Sequence, residues 1–115
     1  MHELSIAISL VEAAQEEAVK HCAAGVTAVH LRLGPLAGVE KEALLFSYGL
    51  AAEGTSLQGS RLIIEESPVM VFCPVCRERR AIRSLQSFRC ATCNAPATEI
   101  VQGRELEVVA LEIQE

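Results

Sequence analysis

Two residue patterns in this 115-residue chain can hold a metal ion. The first is a pair of C-x-x-C units, Cys73-Pro74-Val75-Cys76 and Cys90-Ala91-Thr92-Cys93, separated by thirteen residues. Two thiolates at that spacing grip one ion from a tight knuckle turn, and two knuckles supply the four sulfurs that close a tetrahedral site. Structural zinc is the foremost reading. A closed set of four sulfurs leaves no open coordination position, so the ion would support the fold rather than catalyse. The same donors also admit a rubredoxin-like iron or two dithiol redox pairs. Arg77, Arg79, Arg80, Arg83 and Arg89 lie in the intervening loop. They can offset part of the negative charge that four thiolates leave on a divalent ion.

The second pattern is the start of the chain, Met1-His2-Glu3. A free terminal amine, the backbone nitrogen of residue 2 and the His2 imidazole can wrap one ion in small chelate rings. A nitrogen-rich, nearly planar donor set suits Ni²⁺ or Cu²⁺ better than Zn²⁺. A carboxylate would complete it, from the adjacent Glu3 or from Glu40 at the start of a later helix. Taken alone, a histidine at position 2 is an ordinary solvated residue. The fifth cysteine, Cys22, falls on an apolar helical stripe and reads as a small buried hydrophobe. His21 and His30 fall in no ligand pair. No nucleophile motif, phosphate-binding glycine loop or hydrolytic carboxylate pair is present, so the chain does not read as an enzyme.

The elements that must position these groups follow from periodicity. Leu4, Ala7, Ile8, Val11, Ala14, Ala18 and Cys22 recur at helical spacing, which predicts an amphipathic helix over 4–24 that stops at Gly25. Residues 26–33 alternate as a strand, and Gly34-Pro35 breaks it. A second helix is predicted over 40–53, with Ala43, Leu44, Phe46, Leu50 and Ala51 as core candidates, then a strand over 61–66. A last strand, 104–113, cannot stand alone and must pair with the earlier ones. The cysteine-rich segment is then an insertion. The expected fold is α+β, a small mixed sheet of about three strands packed with two helices, plus an inserted zinc ribbon. The expected division is 1–67 with 98–115 as one domain and 68–97 as the ribbon.

Half of the chain is hydrophobic, so a packed core is expected. Only Phe46, Tyr48, Phe72 and Phe88 are aromatic, which leaves the core to Leu, Ile, Val and Ala. The formal charge is −5 and every acid is a Glu. Residues 73–93 hold five Arg and one Glu, a local +4, and the rest of the chain, with five bases and fourteen acids, carries −9. That balance is a poor footprint for general nucleic-acid binding. No segment reaches the roughly 18–20 apolar residues that span a bilayer, and the N-terminus lacks a signal-peptide pattern. The expected compartment is the cytoplasm, where paired cysteines point to metal or redox chemistry rather than to disulfides.

Three further segments bear on function. Met1-His2-Glu3-Leu4-Ser5, then Leu31-Arg32-Leu33-Gly34 through Gly38-Val39-Glu40, then Gly103-Arg104-Glu105-Leu106 flank the two C-x-x-C units in a specific order. In that combination the chain resembles the HypA/HybF family of hydrogenase maturation factors over essentially its whole length. The resemblance implies a nickel metallochaperone. His2 would be the nickel ligand, Glu3 a neighbouring ligand or orienting group, and Glu40 a further acidic candidate, with Met1 supplying the amine. Zinc would sit on Cys73, Cys76, Cys90 and Cys93. The implied partners are a nickel-handling GTPase and the large subunit of [NiFe]-hydrogenase, with urease maturation proteins in some organisms. No nucleic-acid or membrane partner is implied. The rival reading is a zinc-ribbon interaction module that docks nucleic acid or protein through the arginine-rich loop.

Overall fold

The computed structural model describes residues 2–114. The expected contribution of Met1 therefore lies outside the described residues. The chain divides into two compact units. The first takes the chain to Arg32, then Gly38–Glu65, then the chain from Glu107; the second takes Leu33–Ala37 and Glu66–Leu106.

The first unit opens with α1, Glu3–Lys20. It buries Ala7, Leu10, Val11, Ala14 and Ala18, the stripe that a 3.6-residue repeat demands. The helix ends four residues before the expected stop. Cys22 adopts a left-handed φ of 52°, the Cys22 N–H donates to the Val19 carbonyl at 3.1 Å, and the Ala23 N–H donates to the Ala18 carbonyl at 2.9 Å. This is a Schellman closure, with cysteine at the position usually given to glycine. Cys22 is consequently exposed and off the stripe, not buried.

β1, Gly25–Leu33, carries the densest core: Val26, Ala28, Val29, Leu31 and Leu33 are buried. α2, Lys41–Ala52, follows a short 3-10 turn at Pro35–Ala37 and leads to β2, Arg61–Glu66. β7, Leu106–Gln114, closes the sheet in the order β2-β1-β7. The Ala24 N–H donates to the Gln114 carbonyl at one end and the Gly34 N–H to the Glu105 carbonyl at the other, so β1 and β7 are antiparallel. The Ser67 N–H donates to the Leu33 carbonyl, so β1 and β2 end together and run parallel, with α2 as their crossover. The sheet is mixed and three-stranded, as the pattern predicts. α2 departs from expectation in its facing. Leu44, Ser47, Tyr48 and Ala52 are buried, while Phe46 is 71% exposed and Leu50 48% exposed.

The second unit is a four-stranded sheet, β5-β4-β3-β6. Its strands are β3 (Met70–Cys73), β4 (Glu78–Ser84), β5 (Ser87–Cys90) and β6 (Glu99–Gln102). β3 pairs antiparallel with both β4 and β6. This pairing carries the unit past the expected 68–97 bounds, because β6 is held to Met70–Phe72 rather than to the three-stranded sheet. Gly34 belongs here too. A Cβ on it would collide with the Gly103 carbonyl group, and the Leu36 N–H donates to that carbonyl at 2.8 Å. Among the described residues, no helix is long and apolar enough to cross a membrane.

Candidate metal centres

β3 ends at Cys73 and β5 at Cys90, so each strand delivers the first cysteine of a knuckle. The two knuckles are built alike. The Cys76 N–H points at the Cys73 Sγ (3.3 Å), and the Cys93 N–H points at the Cys90 Sγ (3.4 Å). The Arg77 N–H then donates to the Cys73 carbonyl at 2.7 Å, and the Asn94 N–H to the Cys90 carbonyl at 2.8 Å. Arg77 and Asn94 both have positive φ, 57° and 65°. Asn tolerates this conformation; Arg holds it at some cost, which the closed turn offsets.

The four Sγ atoms lie within 4.8 Å of one another. Cys73 Sγ is 3.5 Å from Cys93 Sγ, and Cys76 Sγ is 3.9 Å from Cys90 Sγ. A tetrahedron with Zn–S bonds of about 2.3 Å has edges of roughly 3.8 Å, so the donor set fits a zinc ion. Cys73 and Cys90 are buried, and their sulfurs receive backbone N–H groups that favour the thiolate. The Cys76 N–H holds the Cys73 thiol below its ordinary range. Burial opposes ionisation of Cys90, but the Cys93 and Thr92 N–H groups outweigh it and bring its pKa down to about 6. For Cys93 the Ala95 N–H favours the thiolate; burial and the three neighbouring cysteines prevail and push it up to about 12.

The basic loop is largely turned to the unit's own use. Arg79 donates to the Gln102 side chain at 2.9 Å, Arg80 pairs with Glu78 at 2.6 Å, and Arg89 donates to the Asn94 carbonyl at 3.1 Å. The Cys76 sulfur raises the Arg80 guanidinium above its ordinary pKa, and the charges of Glu78 and Cys90 act in the same direction. Arg80 is thus placed to offset part of the negative charge of the cluster. Phe72 and Phe88 are half-buried, so the ribbon presents no exposed aromatic face for base stacking.

The other candidate site lies in the first unit. His2 is the N-cap of α1, in extended conformation, and its side chain makes no capping bond. The imidazole is exposed. Glu3, in the first turn, reaches α2: its Oε2 accepts the Glu40 N–H at 3.3 Å. Glu40 is itself the N-cap of α2, and its Oε2 accepts the Ala43 N–H at 2.6 Å. The N-termini of the two helices thus meet, and His2, Glu3 and Glu40 share one end of the unit. One Glu40 oxygen is committed to the cap. The sequence pattern gives no sign of this role, because Glu is an uncommon N-cap residue.

His30 tightens the sheet through a 2.6 Å contact with Glu112. His21 closes α1 as its C-cap and lies 3.7 Å from Glu17.

A family model described as hydrogenase/urease nickel incorporation, metallochaperone, HypA matches residues 1–113. The hydrogenase maturation factor HypA of Chloroflexus aurantiacus is 53% identical over 112 residues, covering 97% of this chain and 98% of its own. That of a Roseiflexus species is 51% identical over 115 residues, covering 100% of this chain and 94% of its own. The solution structure of the Ni metallochaperone HypA from Helicobacter pylori matches the fold with a TM-score of 0.70 at 24% identity, covering 99% of this chain and 98% of that one.

Proposed function

Since the chain belongs to the HypA family of hydrogenase and urease nickel-incorporation metallochaperones, maturation factors rather than enzymes, we propose that it carries Ni²⁺ at its N-terminus and hands it on in maturation of [NiFe]-hydrogenase. The observation that carries this reading is the meeting of His2, Glu3 and Glu40 at one end of the helix pair, with the exposed His2 imidazole not used to cap α1. The terminal amine of Met1, the backbone nitrogen of residue 2 and the His2 imidazole supply nitrogen donors that suit nickel. Glu3, and the Glu40 oxygen not used in the cap, offer carboxylates nearby. An exposed site made of few side chains lets a recipient displace donors one at a time. In this reading the handoff involves a partner GTPase and ends on the hydrogenase large subunit. Zinc on Cys73, Cys76, Cys90 and Cys93 holds the ribbon in shape and takes no part in transfer.

The test is metal analysis and nickel titration of protein with its native start. His2→Ala is expected to abolish tight nickel uptake while leaving one zinc per chain. Stoichiometric, tight Ni²⁺ in that variant defeats the assignment. A tag ahead of Met1 blocks the amine and is expected to mimic the variant.

A further inference from the structure

The helix pair leaves apolar residues in water where the nickel reading needs a second protein. Leu4 and Ile8 of α1 are 46% and 43% exposed, and Phe46 and Leu50 of α2 are 71% and 48% exposed. α1 enters β1 through a short turn, and α2 is the crossover between parallel β1 and β2. Both helices therefore run opposite to β1 and parallel to each other, and the Glu3–Glu40 contact puts their N-termini side by side.

Helical spacing then assigns the faces. α1 turns Ala13, Ala14, Glu17 and His21 toward a groove against β7. At 3.6 residues per turn Leu4 and Ile8 fall on the opposite flank of the buried stripe, the flank toward α2. On α2, Phe46 lies opposite buried Leu44 and Tyr48, and Leu50 lies one turn further on beside it. Ile8 is six residues from His2 and Phe46 six residues from Glu40, about 9 Å along each axis. Leu4 and Ile8 thus edge the cleft between the helices, Phe46 and Leu50 stand on the outer side of α2, and Leu4, Ile8 and Phe46 lie toward the candidate donor end, with Leu50 about 15 Å from Glu40 along the helix.

Any protein that takes an ion from His2 must bring its own ligand to within about 2 Å of that ion. The surface around the terminus is then covered by the recipient, whatever its fold. An exposed aromatic with an aliphatic neighbour one turn away is the kind of anchor that carries binding energy at interfaces. Exposed Glu12 on α1 and Glu42 on α2 give the patch an acidic rim. We propose that Leu4, Ile8, Phe46 and Leu50 form the docking surface for the nickel recipient, which meets them with an apolar patch rimmed by cationic side chains. The inference rests on the terminal nickel site proposed above.

The experiment uses the full-length, native-ended, zinc-loaded chain and the purified nickel-free large-subunit precursor of the host's [NiFe]-hydrogenase. Nickel uptake is measured first, then complex formation and nickel transfer. The double variant Phe46→Glu with Leu50→Glu changes residues outside the core and is expected to take up nickel as the parent does. Its transfer rate and its affinity for the precursor should each fall about tenfold or more, in line with loss of a hot spot. Phe46→Leu, which keeps an apolar contact, should retain most of both. Transfer and affinity within about twofold of the parent, with uptake intact, overturn the docking surface. Binding of the purified partner GTPase is assayed in parallel, and a loss confined to it also overturns the proposal and makes that protein the occupant instead. Failure of the parent itself to take up nickel sinks the terminal-site reading and is seen before any docking is measured.

Discussion

At the scale of residues, the sulfur cluster is a set of four unequal acids. In the folded arrangement the Cys90 pKa is brought down to about 6 and that of Cys93 is pushed up to about 12. Zinc binds thiolates, so each ligand that is protonated before binding must release its proton. A metal-free ribbon that is unfolded has thiols near their ordinary pKa of about 8.5, and zinc then draws close to four protons, one from each of Cys73, Cys76, Cys90 and Cys93, at pH 5 and at pH 7.5 alike. Calorimetry in buffers of differing ionisation heat counts those protons. A count near three at pH 7.5 that rises to four at pH 5 contradicts this, because it means that the ribbon keeps its folded geometry, with Cys90 already ionised, in the absence of zinc. Arg80 belongs to the same balance, since the Cys76 sulfur raises its pKa and it pairs with Glu78.

At the scale of elements, the Gly34 turn is the tightest joint in the chain. Its N–H bonds the Glu105 carbonyl at 2.8 Å, and a side chain there collides with the Gly103 backbone, which cannot yield like a flexible side-chain tip. Gly34→Ala is expected to destabilise the protein by about 3 kcal/mol or more, a loss of the size seen where backbone must shift to admit a methyl group. Denaturant unfolding measures it, and a change under about 0.5 kcal/mol refutes the close approach. The sequence marks Gly34-Pro35 as a break, but the contact with Gly103 joins positions 69 residues apart and has no local signature. Strands β1, β2 and β7 and both helices are legible because each repeats apolar residues at its own period. The ribbon strands are not: β4, Glu-Arg-Arg-Ala-Ile-Arg-Ser, is mostly polar and is held by pairing with β3 and β5 rather than by a buried face. Phe46 and Leu50 mislead in the opposite way. They share a helix with Leu44 and Tyr48 but lie off its buried arc, and hydrophobicity alone cannot tell a core face from an exposed one. The cysteine spacing predicts the sulfur cluster because knuckle geometry is local. The Glu3–Glu40 contact depends on the packing of two helices and emerges only in the fold.

At the scale of the whole molecule, the two units are stabilised by different physics. The first buries residues from two helices and three strands, among them Ala7, Val11, Ala28, Val29, Leu31, Leu44 and Leu57, and has an ordinary hydrophobic core. In the ribbon the fully buried side chains include Val71, Cys73 and Cys90, so two of its core positions belong to the four-cysteine cluster whose geometry fits a metal ion. Such a sheet lacks the apolar area to fold without its ion, and structural zinc supplies about 10–16 kcal/mol in comparable small sites. Charge acts in the same direction. The second unit holds six Arg and four Glu, +2, and the remainder holds four bases and eleven acids, −7, which together return the −5 total. A four-thiolate zinc site carries a formal charge of about −2, so the loaded ribbon is near neutral, and removal of the ion restores its excess of arginine. Chelation is therefore expected to unfold one unit and spare the other. In hydrogen exchange, amides of β3 to β6 should lose protection when zinc is stripped, while those of α1, α2 and β1 keep theirs. Re-addition of zinc should restore the ribbon amides in full. Protection lost evenly along the chain would mean that the sulfur-bound ion holds the helix-bearing unit together as well. Protection kept everywhere would mean that the ribbon folds by its own pairing and that the cysteines do no structural work.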